Sequence, residues 1–140
     1  WMRSLPVARL MRTEVPPLPA TATVATARDT YPGATPRYII LRDAHRRYVG
    51  LIENTQLHAR HYADTTPVTA LVQTGDETLS PDTSLSCALD SFERTTRPAL
   101  AVTNENGMVL GLLSERYVLR RYAEELERTR RELAGEKHKH

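Results

Sequence analysis

Two histidines, His58 and His61, have the residue type and the spacing of a metal-binding pair. Residues three apart on a helix share one face, and Glu53 and Asp64 lie near enough in the sequence to add carboxylate oxygens. No further ligand falls at a matching position. We therefore interpret the pair as one face of an ordinary helix and predict no metal site.

Three side chains that could act as nucleophiles lie close together in the sequence: the hydroxyls of Ser84 and Ser86 and the thiol of Cys87. A reactive thiol needs a basic neighbour or a helix N-terminus to lower its pKa, and Cys87 lies early in a predicted helix of small residues. We interpret Cys87 as a buried packing residue. No motif makes Ser84 or Ser86 a nucleophile. The sequence therefore predicts no catalytic residue and a protein that is not an enzyme.

The composition limits the remaining kinds of function. The chain has 140 residues, of which 40% are apolar and 26% charged, enough for one compact domain or two small ones sharing a core. The formal net charge of +2 is too small to indicate a nucleic-acid partner. A single cysteine excludes an intramolecular disulfide.

The apolar segments are too short to predict a membrane span. The longest runs, Tyr38–Leu41 and Val109–Leu113, fall far below the roughly 20 residues of a spanning helix. The first residues show no signal peptide. Because Trp1 precedes Met2, we expect the chain to be a soluble piece of a longer protein.

An internal repeat determines how the elements are arranged. A constant offset of 61 residues aligns the two halves without a gap, and places Gly50 on Gly111 and the run Tyr38–Leu41 on 99–102. Each copy has the periodicity of a helical turn, a polar stretch, a helix, a two-stranded hairpin and a further helix. One such sheet buries too little surface alone, so the two sheets are predicted to pack face to face.

Helix-start and helix-stop signals give the expected boundaries. Thr21 and Asp82 precede apolar residues at helical spacing and are the predicted N-caps. The last helix is predicted to end at Gly135. An apolar stripe runs along it, with arginines and glutamates elsewhere, so we expect a solvated helix or one that docks on a partner. The stripe consists of Leu119, Tyr122, Leu126 and Leu133.

The doubled unit resembles a pair of cystathionine-β-synthase (CBS) motifs, a regulatory module. The matching features are Val7–Met11, its weaker counterpart Val68–Val72, and an apolar strand followed by Gly-Leu-Ile at 50–52 or Gly-Leu-Leu at 111–113. The resemblance implies an α/β (α+β) fold of two βαββα-like units with pseudo-twofold symmetry. It places motif 1 at 1–64, motif 2 at 65–124, and a C-terminal helix end and polar tail at 125–140.

The stretch 111–127 is similar to the end of the cytoplasmic CBS region in bacterial ClC-type chloride channels and antiporters. This resemblance implies a non-catalytic regulatory module, a homodimer, and a transmembrane ClC-type domain upstream in the same chain. It also implies a place on the cytoplasmic side of the bacterial inner membrane. Two alternatives stay open: a nucleotide-sensing CBS pair attached to another enzyme or transporter, and a structural dimerisation module without a ligand.

The resemblance further implies a binding site for an adenine nucleotide, either ATP, ADP or AMP. Nucleotide-binding CBS pairs commonly carry Gly-x-x-Thr/Ser-x-x-Asp after the second strand, and here Tyr117 stands where the ribose-binding Asp belongs. Glu115, or Gln56 as a neutral acceptor, could replace that carboxylate, and Tyr38 could stack on adenine. The candidate residues are Tyr38, Ile40, Gly111, Ser114, Glu115 and Tyr117. In the alternative interpretation Ser114 only caps the last helix and Tyr38 is a half-buried strand residue.

Overall fold

Two antiparallel hairpins, one from each repeat, form the centre of the fold. The computed structural model describes residues 1–14, 16–73 and 77–138. In chain order the regular elements are β1 (Leu18–Pro19), α1 (Val24–Thr30), β2 (Tyr38–Arg42), β3 (Tyr48–Glu53), α2 (Asn54–Leu57), α3 (Leu85–Thr95), β4 (Ala99–Thr103), β5 (Val109–Ser114) and α4 (Glu115–His138). Short 3₁₀ turns lie at Met2–Ser4, Val7–Arg9 and Val68–Leu71, and we call the last two the opening turns. The predicted repeat of helix, hairpin and helix is confirmed.

The hairpins are alike in detail. β2 pairs with β3, and β4 with β5, in the same register and with the same irregularity one residue before the turn. In the first turn, Asp43 Oδ1 accepts two backbone amides at 2.8 and 2.9 Å. In the second, Asn104 Oδ1 accepts the equivalent amides at 2.9 and 3.0 Å. The two turns also pair with each other, which joins the sheets at one end.

Alternating side chains of the strands build the core in three layers. Ile39 and Leu41 of β2 pack beneath α1, while Leu100 and Val102 of β4 pack beneath α3. The residues between them point the other way and fill the space between the two sheets. That middle layer consists of Tyr38, Ile40, Leu51, Ala99 and Ala101. The predicted face-to-face packing of the sheets is confirmed.

The opening turns are exchanged between the halves, which the sequence did not predict. Val7 and Leu10 are buried in the core of the second half, against residues such as Phe92. Val68 and Leu71 are buried in the core of the first half. The turn that opens the first half therefore completes the core of the second half, and the turn that opens the second half completes the core of the first.

The exchange also explains why the predicted N-caps were wrong by two residues. Thr23 and Ser84, not Thr21 and Asp82, cap α1 and α3, and their hydroxyls accept backbone amides at 3.3 and 3.2 Å. Thr23 pairs with Pro67, and Ser84 with Pro6, beside the exchanged turns. Thr23 and Ser84 are held in an extended conformation by that pairing, so each helix begins at the residue after it.

Three further expectations were wrong. α2 ends at Leu57, so His58 and His61 do not share a helix face; His58 Nε2 lies 2.8 Å from the Tyr31 carbonyl instead. Cys87 is exposed rather than buried. α4 continues past Gly135 to His138.

No group of three or more potential ligand residues within 1–14, 16–73 and 77–138 could hold a metal ion. None of the helices in these same ranges is both long and apolar enough to cross a bilayer.

Candidate functional site

A cavity of about 340 Å³ opens between the two sheets. Ligand sites in proteins usually start at roughly 300 Å³, so this volume is sufficient for a small molecule. Its lining residues come from both repeats. They are Arg12, Thr35, Pro36, Arg37, Tyr38, Ile40, Pro98, Leu112, Ser114, Arg116, Tyr117 and Arg120.

The first repeat supplies one wall through β2 and the loop before it. Because side chains alternate along a strand, Tyr38 and Ile40 both face the cavity. The loop is held by Asn54, which is buried and whose Nδ2 donates to the carbonyls of Gly33 at 3.0 Å and Pro36 at 2.7 Å. These two bonds from the buried amide nitrogen hold the loop in place, while Asn54 Oδ1 has no hydrogen-bond partner among the described residues.

The second repeat supplies the opposite wall through β5 and the start of α4. Ser114 Oγ accepts the Tyr117 amide at 3.2 Å and so caps α4, as the alternative interpretation expected. The same Ser114 lines the cavity. The first turn of α4 therefore borders the cavity, and the positive end of the helix dipole is suited to an anion there.

An exchanged segment closes the edge of the cavity. Arg12 pairs with Leu112 through two backbone hydrogen bonds, of 2.8 and 3.0 Å, and so runs beside β5. This close approach needs a glycine at 111, since a Cβ there would lie 2.7 Å from the Arg12 carbonyl oxygen. Gly50 has the same role against Val72 in the first half.

The cavity lining carries four arginines and, among the described residues, no carboxylate. Arg37 lies over the Tyr38 ring at 5.4 Å, and Arg120 lies over the Tyr117 ring at 5.3 Å. Stacking on a ring face holds a guanidinium in place while leaving its N–H groups available. Arg12 also pairs with Glu14, Nε to Oε1, at 2.9 Å on the exposed rim. The lining is therefore positive, although Glu14 balances the charge of Arg12, and it is suited to an anionic group.

Tyr38 belongs to the same wall. Burial raises the pKa of Tyr38, Glu53 adds to the increase, and Arg37 opposes it. The phenol is therefore neutral at physiological pH and presents an uncharged aromatic face to the cavity.

Four of the six candidate residues lie together in the lining: Tyr38, Ile40, Ser114 and Tyr117. Gly111 and Glu115 do not line it. Gly111 lies behind the wall against Arg12, and the Glu115 amide donates to the Pro98 carbonyl at 3.0 Å. Among the described residues, the cavity lining therefore offers no carboxylate in place of the Asp that the pattern lacks.

Sequence reasoning missed the arginines. Arg12 and Arg37 lie in segments without periodicity, and Arg116 and Arg120 belong to a helix whose charges nearly balance. Spacing offered one signal, because Arg116 and Arg120 are four apart and share a helix face. Only the fold brings that face to the other two arginines.

The equivalent position on the other side of the pseudo-twofold axis is almost closed. A cavity of only about 20 Å³ remains there. Glu53 and Gln56 lie at the places of Ser114 and Tyr117, and Arg97 donates to the Gln73 carbonyl at 3.3 Å across the lining. The two halves are thus alike in backbone but offer one spacious cavity, not two, within the part of the chain that is described.

Residues 64–124 match the family model described as the CBS domain. No curated protein sequence matches the chain. Many solved structures show the same architecture, among them the following three. The CBS domains of a transcriptional regulator from Streptococcus pneumoniae are 19% identical, with a TM-score of 0.71 over 83% of this chain and 98% of that one.

The CBS domain of a bacterial CNNM/CorC family Mg²⁺ transporter, in complex with ATP, is 15% identical, with a TM-score of 0.73 over 84% of this chain and 87% of that one. CBSX2 in complex with AMP is 18% identical, with a TM-score of 0.71 over 85% of this chain and 96% of that one. Similarity at these identities establishes the fold. The chain therefore has the α+β fold of a CBS pair.

Proposed function

We propose that this chain is a non-catalytic regulatory module whose inter-sheet cavity binds an adenine nucleotide. The observation that carries the proposal is the cavity of about 340 Å³ with four arginines in its lining. Such a lining favours a ligand with several negative charges, because guanidinium groups bind phosphate oxygens through paired N–H donors. The solved structures of this fold in complex with ATP and with AMP support the nucleotide class.

The proposed orientation follows from the distribution of charge and aromatic surface. Arg116 and Arg120 lie at the first turns of α4, so the phosphates would lie there. Tyr38 and Ile40 form the apolar wall on which the base would lie. Since the lining has no carboxylate among the described residues, the ribose hydroxyls would contribute little, and phosphate number would determine affinity.

We propose further that the module acts as a homodimer on a transmembrane ClC-type chloride transport protein, at the cytoplasmic face of the bacterial inner membrane. The sequence similarity of 111–127 supports this assignment. Structures of the same fold come from a Mg²⁺ transporter and a transcriptional regulator, which favours the alternative of another carrier protein. Deleting the module from the full-length protein that contains it, and measuring chloride flux, tests the ClC assignment; unchanged gating and assembly would contradict it.

Calorimetric titration of the chain with ATP, ADP and AMP tests the ligand. We expect affinity to fall in that order, because each phosphate lost removes contacts to arginine. 2′-DeoxyATP should bind within about threefold of ATP, since no carboxylate is in place to accept the ribose hydroxyls. Affinity that depends strongly on the 2′-hydroxyl would contradict the proposed orientation.

Arg116→Ala is the informative variant, because Arg116 is exposed and its loss leaves the core intact. We expect ATP affinity to fall by about tenfold to a hundredfold, the worth of a charge-assisted hydrogen bond. Arg60→Ala, an exposed arginine outside the cavity, is the matched control and should bind normally. No heat at millimolar nucleotide, or equal losses in both variants, would favour the structural dimerisation module.

A further inference from the structure

The outer part of α4 carries an apolar stripe that no described residue covers. Leu119, Tyr122, Leu126 and Leu133 are exposed to 52%, 38%, 54% and 55%. By contrast Val118, one residue before the stripe begins, is buried against the second half. The helix therefore uses one face to join the domain and presents a second apolar face to solvent.

The stripe has the spacing of a coiled-coil seam. Positions 119, 122, 126, 129 and 133 alternate steps of three and four residues, which is the a/d pattern of a heptad repeat. Thr129 occupies one of these positions and the others are apolar. A seam of this kind is buried by another helix with the same spacing.

The charges beside the seam favour a second copy of this chain, in parallel, as the partner. With Leu119 at position a, Glu125 occupies position g and Arg130 the following position e. In a parallel pair the g residue of one helix lies opposite the next e residue of the other, so Glu125 meets Arg130 of the second copy. In an antiparallel pair g faces g and e faces e, so glutamate would meet glutamate.

The ion pairs already present in the helix are compatible with this arrangement. Arg128 Nη2 lies 2.6 Å from one carboxylate oxygen of Glu125, and Arg121 Nη2 lies 3.8 Å from the other. Both arginines occupy position c, on the side of Glu125 away from the seam. They hold the carboxylate at the edge of the stripe, where a carboxylate can accept a further donor.

We propose that α4 pairs in parallel with α4 of a second copy through the seam at 119–133. The inference rests on the proposed homodimer and is independent of nucleotide binding. The two modules then lie at the same end of the coiled coil, and their two-fold axis runs along α4.

Sedimentation of the whole chain over a concentration series measures the assembly. Leu126→Lys places a charge in the centre of the seam, and we expect the dimer dissociation constant to rise roughly a hundredfold or more. Glu124→Lys, on the outer face of the same helix, is the matched control and should dimerise normally. If Leu126→Lys still dimerises, the dimer contact lies elsewhere. That result contradicts the pairing of α4 but not the proposed homodimer. A monomeric wild type at every concentration overturns both.

Cross-linking tests the orientation. In a Cys87→Ser background, Thr129→Cys puts a thiol at a seam position that meets its own copy only in a parallel pair in register. We expect a disulfide-linked dimer on mild oxidation, and none from Glu124→Cys on the outer face. Dimerisation without the cross-link at 129 overturns the parallel seam, and so does an equal yield from both cysteines.

Discussion

At the scale of single residues, the two hairpin turns have the same pattern of backbone hydrogen bonds, but a carboxylate accepts them in one turn and a side-chain amide in the other. Asp43 and Asn104 each accept two amides of their own turn, but only Asp43 can titrate. Hydrogen bonds from the Arg47 amide chiefly, and from the His45 amide, lower the pKa of Asp43 against a smaller opposing effect of desolvation. The first turn is therefore sensitive to acid in a way that the second is not.

When folding lowers the pKa of a carboxyl group, its ionised form stabilises the folded state at any pH above the pKa of the unfolded state. That stabilisation is lost as the pH falls through the pKa of the folded state. We therefore expect the contribution of Asp43 to be complete at neutral pH, to begin to fall near pH 4, about the ordinary pKa of an Asp carboxyl, and to disappear as the pH drops through the lower pKa of the folded state. Asp43→Asn should flatten this part of the pH dependence, measured as the free energy of unfolding in urea from neutral to acid pH. Asn104→Asp should steepen it, and identical curves for all three proteins would contradict the assignment.

At the scale of elements, glycine lets an exchanged segment lie against a hairpin. A Cβ at 111 would meet the Arg12 carbonyl oxygen at 2.7 Å, and one at 50 would meet the Val72 side chain at 2.5 Å. A backbone atom cannot rotate away as a side chain can. The two sites consequently differ in how the chain can relieve the clash.

Gly111→Ala should lower the free energy of unfolding by about 1–3 kcal/mol, the usual cost of overpacking. It should also weaken ATP binding, because Arg12 lines the cavity. Urea denaturation and calorimetry measure the two effects. Gly33→Ala is the control, since a Cβ there has nothing within 4 Å. Wild-type stability in Gly111→Ala would show that the segment does not need this close approach.

The elements were the part of the fold most open to prediction. Short apolar runs flanked by turn residues identified β2 to β5, since both faces of the central strands β2 and β4 are buried, and helical spacing after each hairpin indicated the starts of α2 and α4. The exchange of the opening turns could not be read in the same way. Val7 and Val68 occupy equivalent places in near-identical patterns, so periodicity cannot distinguish which core each one enters.

Some residues of the candidate site could be predicted from the sequence, and others could not. Ser114 was identified because a family pattern marks its position, and Tyr38 because its ring could stack on adenine; the fold places both in the cavity lining. Arg12 and Arg37 come from irregular segments whose positions depend on contacts distant in sequence. Only the three-dimensional structure could bring these charges together.

At the scale of the whole molecule, neither half has a complete core of its own. The first half needs Val68 and Leu71, and the second needs Met2, Val7 and Leu10. The hairpin turns and the middle layer add further contacts between them. The two repeats should therefore unfold as one cooperative unit.

Fragments 1–66 and 67–140, produced separately, test this expectation. Each lacks buried residues of its own core, and we expect each alone to show no cooperative unfolding transition by circular dichroism. When mixed, the fragments should recover the far-ultraviolet spectrum of the intact chain and elute together. A fragment that unfolds cooperatively by itself would contradict the interdependence of the halves.

The exchanged turns also constrain the order of burial while this chain is being synthesised. β2 and β3 emerge from the ribosome before Val68 and Leu71, so the first hairpin exists for a time without the residues that close its core. Met2 and Val7 remain exposed for longer, since their partners Phe92 and Leu113 are synthesised much later in this chain. Apolar surface exposed during translation is a risk for aggregation. The segment of this chain that is translated first is among the last to be shielded from water.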